Sequence, residues 1–152
     1  MSALLFDAHC HLEDERFNGE VEAALERMRD AGVARCILAG SDQASSERIA
    51  GIVAEHAYVF GVVGVHPHEA KDFSADALLW MDALLRKPRM VGVGEIGLDY
   101  HYDLSPRAAQ RDAFEQQLEF AYARGVPAVF HVREAHGEVT EIFRARRARL
   151  PA

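Results

Sequence analysis

The sequence predicts an α/β fold built from parallel βα units, and three observations carry that prediction. Five short apolar runs recur along the 152 residues, at 3–6, 34–38, 59–63, 90–93 and 126–130. Longer segments of helical period separate them. The run starts recur at intervals of roughly 25–36 residues. Each run is continuous and mostly β-branched or small, as a parallel strand buried on both faces requires.

The intervening segments read as helices in turn. Residues 20–30 place Val21, Ala24, Leu25 and Met28 on one face, and Gly32 stands where a C-terminal glycine stops a helix. Ser41 and Asp42 open the second helix. Ser74 opens the third, with Asp76 in its first turn. Ser105 and Pro106 supply a cap and an N1 proline for the fourth, which Gly125 ends. The fifth covers about 134–149. Such alternation implies a parallel sheet with right-handed crossovers.

The spacing extends the argument. From residue 4 to residue 127, four units take 123 residues, or about 31 each. Eight units would need about 246 residues, the length of a (β/α)₈ barrel. The chain therefore reads as a single domain, 1–152, holding about five of eight barrel units and incomplete at its C-terminal side.

Composition narrows the function. Apolar residues make up 49% and charged residues 27%, the balance of an ordinary globular protein with a real core. No apolar run approaches the ~20 residues of a membrane span, and residues 1–6 lack the basic flank of a signal peptide. Two cysteines, Cys10 and Cys36, are too few for a disulfide framework. These features lead to the expectation of a cytoplasmic protein with no membrane partner. Seventeen basic against 24 acidic residues give a net charge of −7, which disfavours general nucleic-acid wrapping. Bound cations would nevertheless supply local positive charge for a phosphate.

Chemistry concentrates where strands end. His9 and His11 lie two apart, so they project together while Cys10 points away. Glu95 stands at the end of the fourth apolar run, flanked by Gly94 and Gly97. A carboxylate there needs a partner or a metal, and the glycines allow close backbone approach. His131 ends the fifth run at the same level. Each has an ordinary alternative: two polar strand-end residues, an arginine-paired glutamate, a core histidine. Their coincidence at the C-terminal ends of three strands favours a site, because α/β sheets and barrels build sites there. Histidine and carboxylate ligands suit Zn²⁺, Mn²⁺ or Fe²⁺ better than Ca²⁺. Glu95 could bridge two ions.

Other residues join as candidates. His66 and His68 flank Pro67 after the third strand and could contact a scissile phosphate, as could Arg133. Arg133 could equally sit in a salt bridge. Asp7 and Asp99 could buttress the ligand histidines, and Asp99 reads more simply as a cap on its own loop. Arg144, Arg146, Arg147 and Arg149 read as solvent-facing cations at a helix end. Trp80 reads as core.

Four stretches, Phe6-Asp7-Ala8-His9-Cys10-His11-Leu12, Gly64-Val65-His66-Pro67-His68, Gly94-Glu95-Ile96-Gly97-Leu98-Asp99-Tyr100 and Pro127 to Arg133, together resemble the TatD family of metal-dependent hydrolases. The resemblance implies an amidohydrolase-like TIM barrel hydrolysing phosphodiesters, typically as a deoxyribonuclease. It implies His9 and His11 as ligands of a first divalent ion, Glu95 as the bridging carboxylate and catalytic residue, and His131 as ligand of a second ion. Zinc, manganese, magnesium and iron all fit. The family pattern continues with a further histidine and a later aspartate beyond residue 152. The implied substrate is DNA or a short nucleic acid. A hydrolase of a small ester or amide is the competing reading. A third is an impaired partial barrel that binds metal or self-associates through exposed sheet edges. A chain of five units is expected to cleave DNA far more slowly than a complete barrel.

Overall fold

A computed structural model describes residues 4–147. Five parallel strands alternate with five helices. They are β1 (Leu5–Cys10), α1 (Val21–Asp30), β2 (Val33–Ala39), α2 (Gln43–Glu55) and β3 (Val59–Val63), then α3 (Ala77–Leu85), β4 (Met90–Asp99), α4 (Arg107–Arg124), β5 (Ala128–Arg133) and α5 (His136–Arg146). A 3-10 turn, Pro67–Asp72, follows β3. The strand order is β1-β2-β3-β4-β5, every pair parallel. A doubly wound sheet reverses direction at a switch point. Here the order never reverses, so the chain forms consecutive units of a barrel wall.

The sheet's helix-facing side forms the core. Leu38, Val59, Val63, Val93 and Leu98 meet Ile49, Val53, Met81, Phe114 and Ile142, all buried. Burying aliphatic and aromatic side chains of this size contributes roughly 1.5–3 kcal/mol each. The two outer strands keep one edge uncovered, and Leu5, Phe6 and Phe130 on them are exposed.

Several elements form as expected. Asp42 caps α2, its side chain accepting from the Ser45 N–H at 2.7 Å while the Ser45 hydroxyl accepts from the Asp42 N–H at 3.0 Å. Gly125, at φ +65°, closes α4 in the left-handed conformation that suits glycine.

Other expectations are corrected by tertiary partners. The third helix begins at Ala77, not Ser74, after a turn in which Ala77 N–H donates to the Ser74 carbonyl. Ser105 does not cap α4. Its hydroxyl donates to the His68 carbonyl at 2.7 Å and accepts from Lys71 N–H, and Pro106 is the residue outside the helix. The fourth strand runs to Asp99, so Glu95 lies within it rather than at its end. The fifth strand begins at Ala128 and the fifth helix at His136. Arg146 does not face solvent: it joins α5 to α4 by ion pairs with Glu115 and Glu119. Ala3 and Arg149, the expected outer ends of the first strand and last helix, lie outside the described residues.

Candidate metal centre

The strands deliver the predicted residues to one place. β1 ends at Cys10, and its alternation sends Cys10 into the core while His9 and His11 turn the other way. Their Nε2 atoms stand 3.0 Å apart. Glu95 reaches the same point, with Oε2 3.1 Å from His9 Nε2 and 3.8 Å from His11 Nε2. Its strand is irregular between Val93 and Ile96, and Glu95 N–H donates instead to the Gly40 carbonyl at 2.7 Å, just past β2. That bond levels Glu95 with the C-terminal end of β2, although β4 continues four residues further.

The other oxygen of Glu95 faces the second half of the site. Oε1 lies 3.0 Å from His131 Nδ1, which also lies 3.1 Å from His66 Nε2. Asp99 Oδ2 receives both His131 Nε2 and His68 Nε2 at 2.9 Å. Its Oδ1 accepts from the His101 and Tyr102 amides. Asp99 thus plays both roles that the sequence allows, buttressing histidines and capping its loop. Asp7 does neither for a histidine ring; it accepts from the His9 N–H. Arg133 is exposed and lies over the Tyr102 ring, 4.5 Å from its centroid, beside the site rather than in it.

Electrostatics follow from this packing. Burial works to raise the Glu95 carboxyl, but the His131 hydrogen bond and nearby His9 and His66 bring it below its ordinary value. Burial likewise opposes ionisation of Asp99, and the Tyr102 amide with His68 and His131 overrides it, so Asp99 stays charged. The hydrogen bond to Glu95 raises His131. Burial and the neighbouring His131 depress His66 to about 4, so it is neutral at pH 7.

The donor set fits divalent cations. Two groups meet the spacing for one ion each among the described residues: His9, His11 and Glu95, and His66, His68 and His131. Two nitrogens bound to one zinc at ~2.05 Å and a tetrahedral angle lie about 3.3 Å apart. The 3.0 and 3.1 Å separations around His9 are close to that. Imidazoles and a carboxylate are the ligands that Zn²⁺, Mn²⁺ and Fe²⁺ favour.

Two residues that support the site escape the motif reading. Gln110 and Gln117 on α4 are both fully buried. Gln117 accepts from Val65 N–H at 2.7 Å and donates to the Val65 carbonyl at 3.0 Å, fixing the residue before His66. Gln110 makes the same paired contact with Asp99. A signal existed: both glutamines share one helical stripe with Ala113, Phe114, Leu118 and Ala121. A glutamine on an apolar stripe needs a polar partner. Replacing Gln117 with alanine strands both backbone groups of Val65 and is expected to cost about 2–4 kcal/mol. Urea unfolding measures it; a loss under ~1 kcal/mol would show that water replaces the amide.

Comparison with known proteins gives the family. Residues 6–151 match the family described as TatD related DNase. The Bacillus subtilis protein named uncharacterized metal-dependent hydrolase YabD is 32% identical over 141 residues, which are 93% of this chain and 55% of that protein. The Pantoea ananatis 3'-5' ssDNA/RNA exonuclease TatD is 32% identical over 149 residues, 97% of this chain and 57% of that one. The crystal structure of the Escherichia coli TatD homologue YJJV superimposes with a TM-score of 0.86 at 27% identity, covering 93% of this chain and 55% of that chain. The chain spans about half the length of the curated relatives it matches. A parallel sheet in barrel order, with two donor clusters on either side of one glutamate, and a family match over nearly every residue lead to one assignment: this chain belongs to the TatD-related DNase family.

Proposed function

We propose that this chain contributes to a metal-dependent phosphodiesterase acting on single-stranded DNA or a short nucleic acid. His9, His11, Glu95 and His131 would hold the divalent cations, with Glu95 available to both clusters. One observation carries the reading: the two oxygens of Glu95 face different clusters, Oε2 toward His9 and His11, Oε1 toward His131. A buried carboxylate shared in this way suits a two-ion site. Divalent cations, when bound, supply Lewis acidity toward a phosphoryl oxygen and lower the pKa of water.

The remaining residues take other tasks. His66 Nδ1 accepts from the His68 amide at 3.2 Å. A neutral imidazole has one N–H, so His66 carries it on Nε2, pointed into the cluster. A donor there suits a phosphate oxygen better than a metal ion, which supports His66 as a substrate contact. His68, bonded to Asp99, and Arg133, exposed at the rim, extend that surface. The names of relatives such as the Pantoea exonuclease support a single-stranded substrate. No described helix is long and apolar enough to cross a membrane. The uncovered edges at Leu5, Phe6 and Phe130 support self-association or further strand pairing.

The test is direct. The chain loaded with Mn²⁺ or Zn²⁺ is incubated with end-labelled single-stranded DNA and, separately, with a panel of small esters and amides. Release of nucleotides above an EDTA control, lost in His9→Ala, is the expected result. Metal-loaded protein that leaves DNA intact while cleaving an ester would overturn the phosphodiester assignment.

A further inference from the structure

Glu13 stands outside the candidate ligand set and yet is the more unusual carboxylate. It lies in the loop after β1, three residues past Cys10, and is only 6% exposed. Oε1 accepts from His11 Nδ1 at 3.0 Å. Oε2 is buried and has no hydrogen-bond partner among the described residues. The Glu13 carbonyl accepts from Arg48 Nε at 3.1 Å, which ties this loop to α2. A buried carboxylate with one oxygen unpaired is unfavourable unless its charge answers another charge nearby.

We propose that Glu13 is a positioning residue that fixes His11 for a cation shared with His9 and Glu95. This rests on the metal reading of the same site. An ionised carboxylate only accepts, so the proton on His11 lies on Nδ1. The lone pair of neutral His11 is then on Nε2, the atom 3.0 Å from His9 Nε2. The His11 side chain is 41% exposed, so burial alone does little to hold its ring. Glu13 supplies a restraint from behind, and its negative charge there makes Nε2 a better donor to a cation. In the second cluster a carboxylate also stands behind a histidine, Asp99 at His131 Nε2, but there a second carboxylate, Glu95, faces Nδ1. The Asp99 carboxylate has three donors besides His131, whereas among the described residues the Glu13 carboxylate has His11 alone, so the first cluster depends more sharply on one contact.

The experiment uses the whole chain, with Zn²⁺ as probe, and the variants Glu13→Ala and Glu13→Gln. Imidazole ¹⁵N NMR on the metal-free protein reads the tautomer of His11, and calorimetry reads zinc affinity. The wild type is expected to show His11 protonated on Nδ1. Glu13→Ala is expected to shift that proton toward Nε2 and weaken zinc binding on the order of 10–100-fold. Glu13→Gln keeps an acceptor oxygen without the charge, so it retains the tautomer and recovers part of the affinity. Wild-type protein that binds no zinc sinks the metal reading itself. Zinc binding that is normal in Glu13→Ala, or weakened equally in both variants with the His11 tautomer unchanged, overturns the positioning role alone.

Discussion

Replacing Gly97 with alanine is expected to cost about 4 kcal/mol or more, the range reserved for the few most disruptive single changes. Gly97 has φ +148°, a conformation that side chains rarely adopt. A Cβ there would lie 1.9 Å from the His131 carbonyl oxygen and 2.9 Å from its carbon. The obstruction is backbone, so no rotamer relieves it. Moving either strand breaks the β4–β5 ladder, in which Gly97 pairs with His131 itself. Gly94 is also crowded, though less so, its added Cβ 2.7 Å from Val129 Cβ. The two glycines let β5 approach closely enough for His131 to reach Glu95. For a chain of this size the loss should lower Tm by roughly 10 °C. Thermal unfolding followed by circular dichroism measures it. A change of less than ~3 °C would mean that the strands separate without penalty and that the close approach is dispensable.

The second large effect concerns metal. Glu95→Gln preserves shape and removes charge. Because Glu95 faces both clusters, the variant is expected to lose affinity at both, on the order of 100-fold or more, since changing mere outer-shell partners already costs 10–100-fold. His9→Ala should differ: it removes one ligand from the first cluster and leaves His131 with Glu95. Metal content after dialysis, with calorimetric titration of Mn²⁺ or Zn²⁺, separates the two. If Glu95→Gln lowers the stoichiometry by one site only, the carboxylate serves one ion and the bridging arrangement fails.

Much of this was legible before any coordinates. Buried parallel strands read as continuous apolar runs, so all five appear near their true positions. Period-two alternation placed His9 and His11 on one side and Cys10 on the other. Asp42 capping α2 and Gly125 ending α4 are local contacts, and local residues predict them. Glu95 is less simply placed than a strand end: β4 continues past it, and a bond to Gly40 sets its level.

What stayed hidden depends on partners far along the chain. Ser105 looked like a helix cap, but its hydroxyl is taken by the His68 carbonyl, 37 residues away. Gln117 reaches Val65 across 52 residues, and His66 reaches His131 across 65. Glu13 sits two residues from His11, yet its importance comes from burial, which sequence proximity does not reveal. The sequence by itself determined the parallel βα architecture and which residue types could bind metal, because strand period and apolar continuity are local properties. Only the tertiary structure decided which oxygen of Glu95 faces which histidine, and which carboxylate stands behind each ring. Those are distances between strands, set by how closely backbones pack, and at β4 and β5 that closeness rests on glycine.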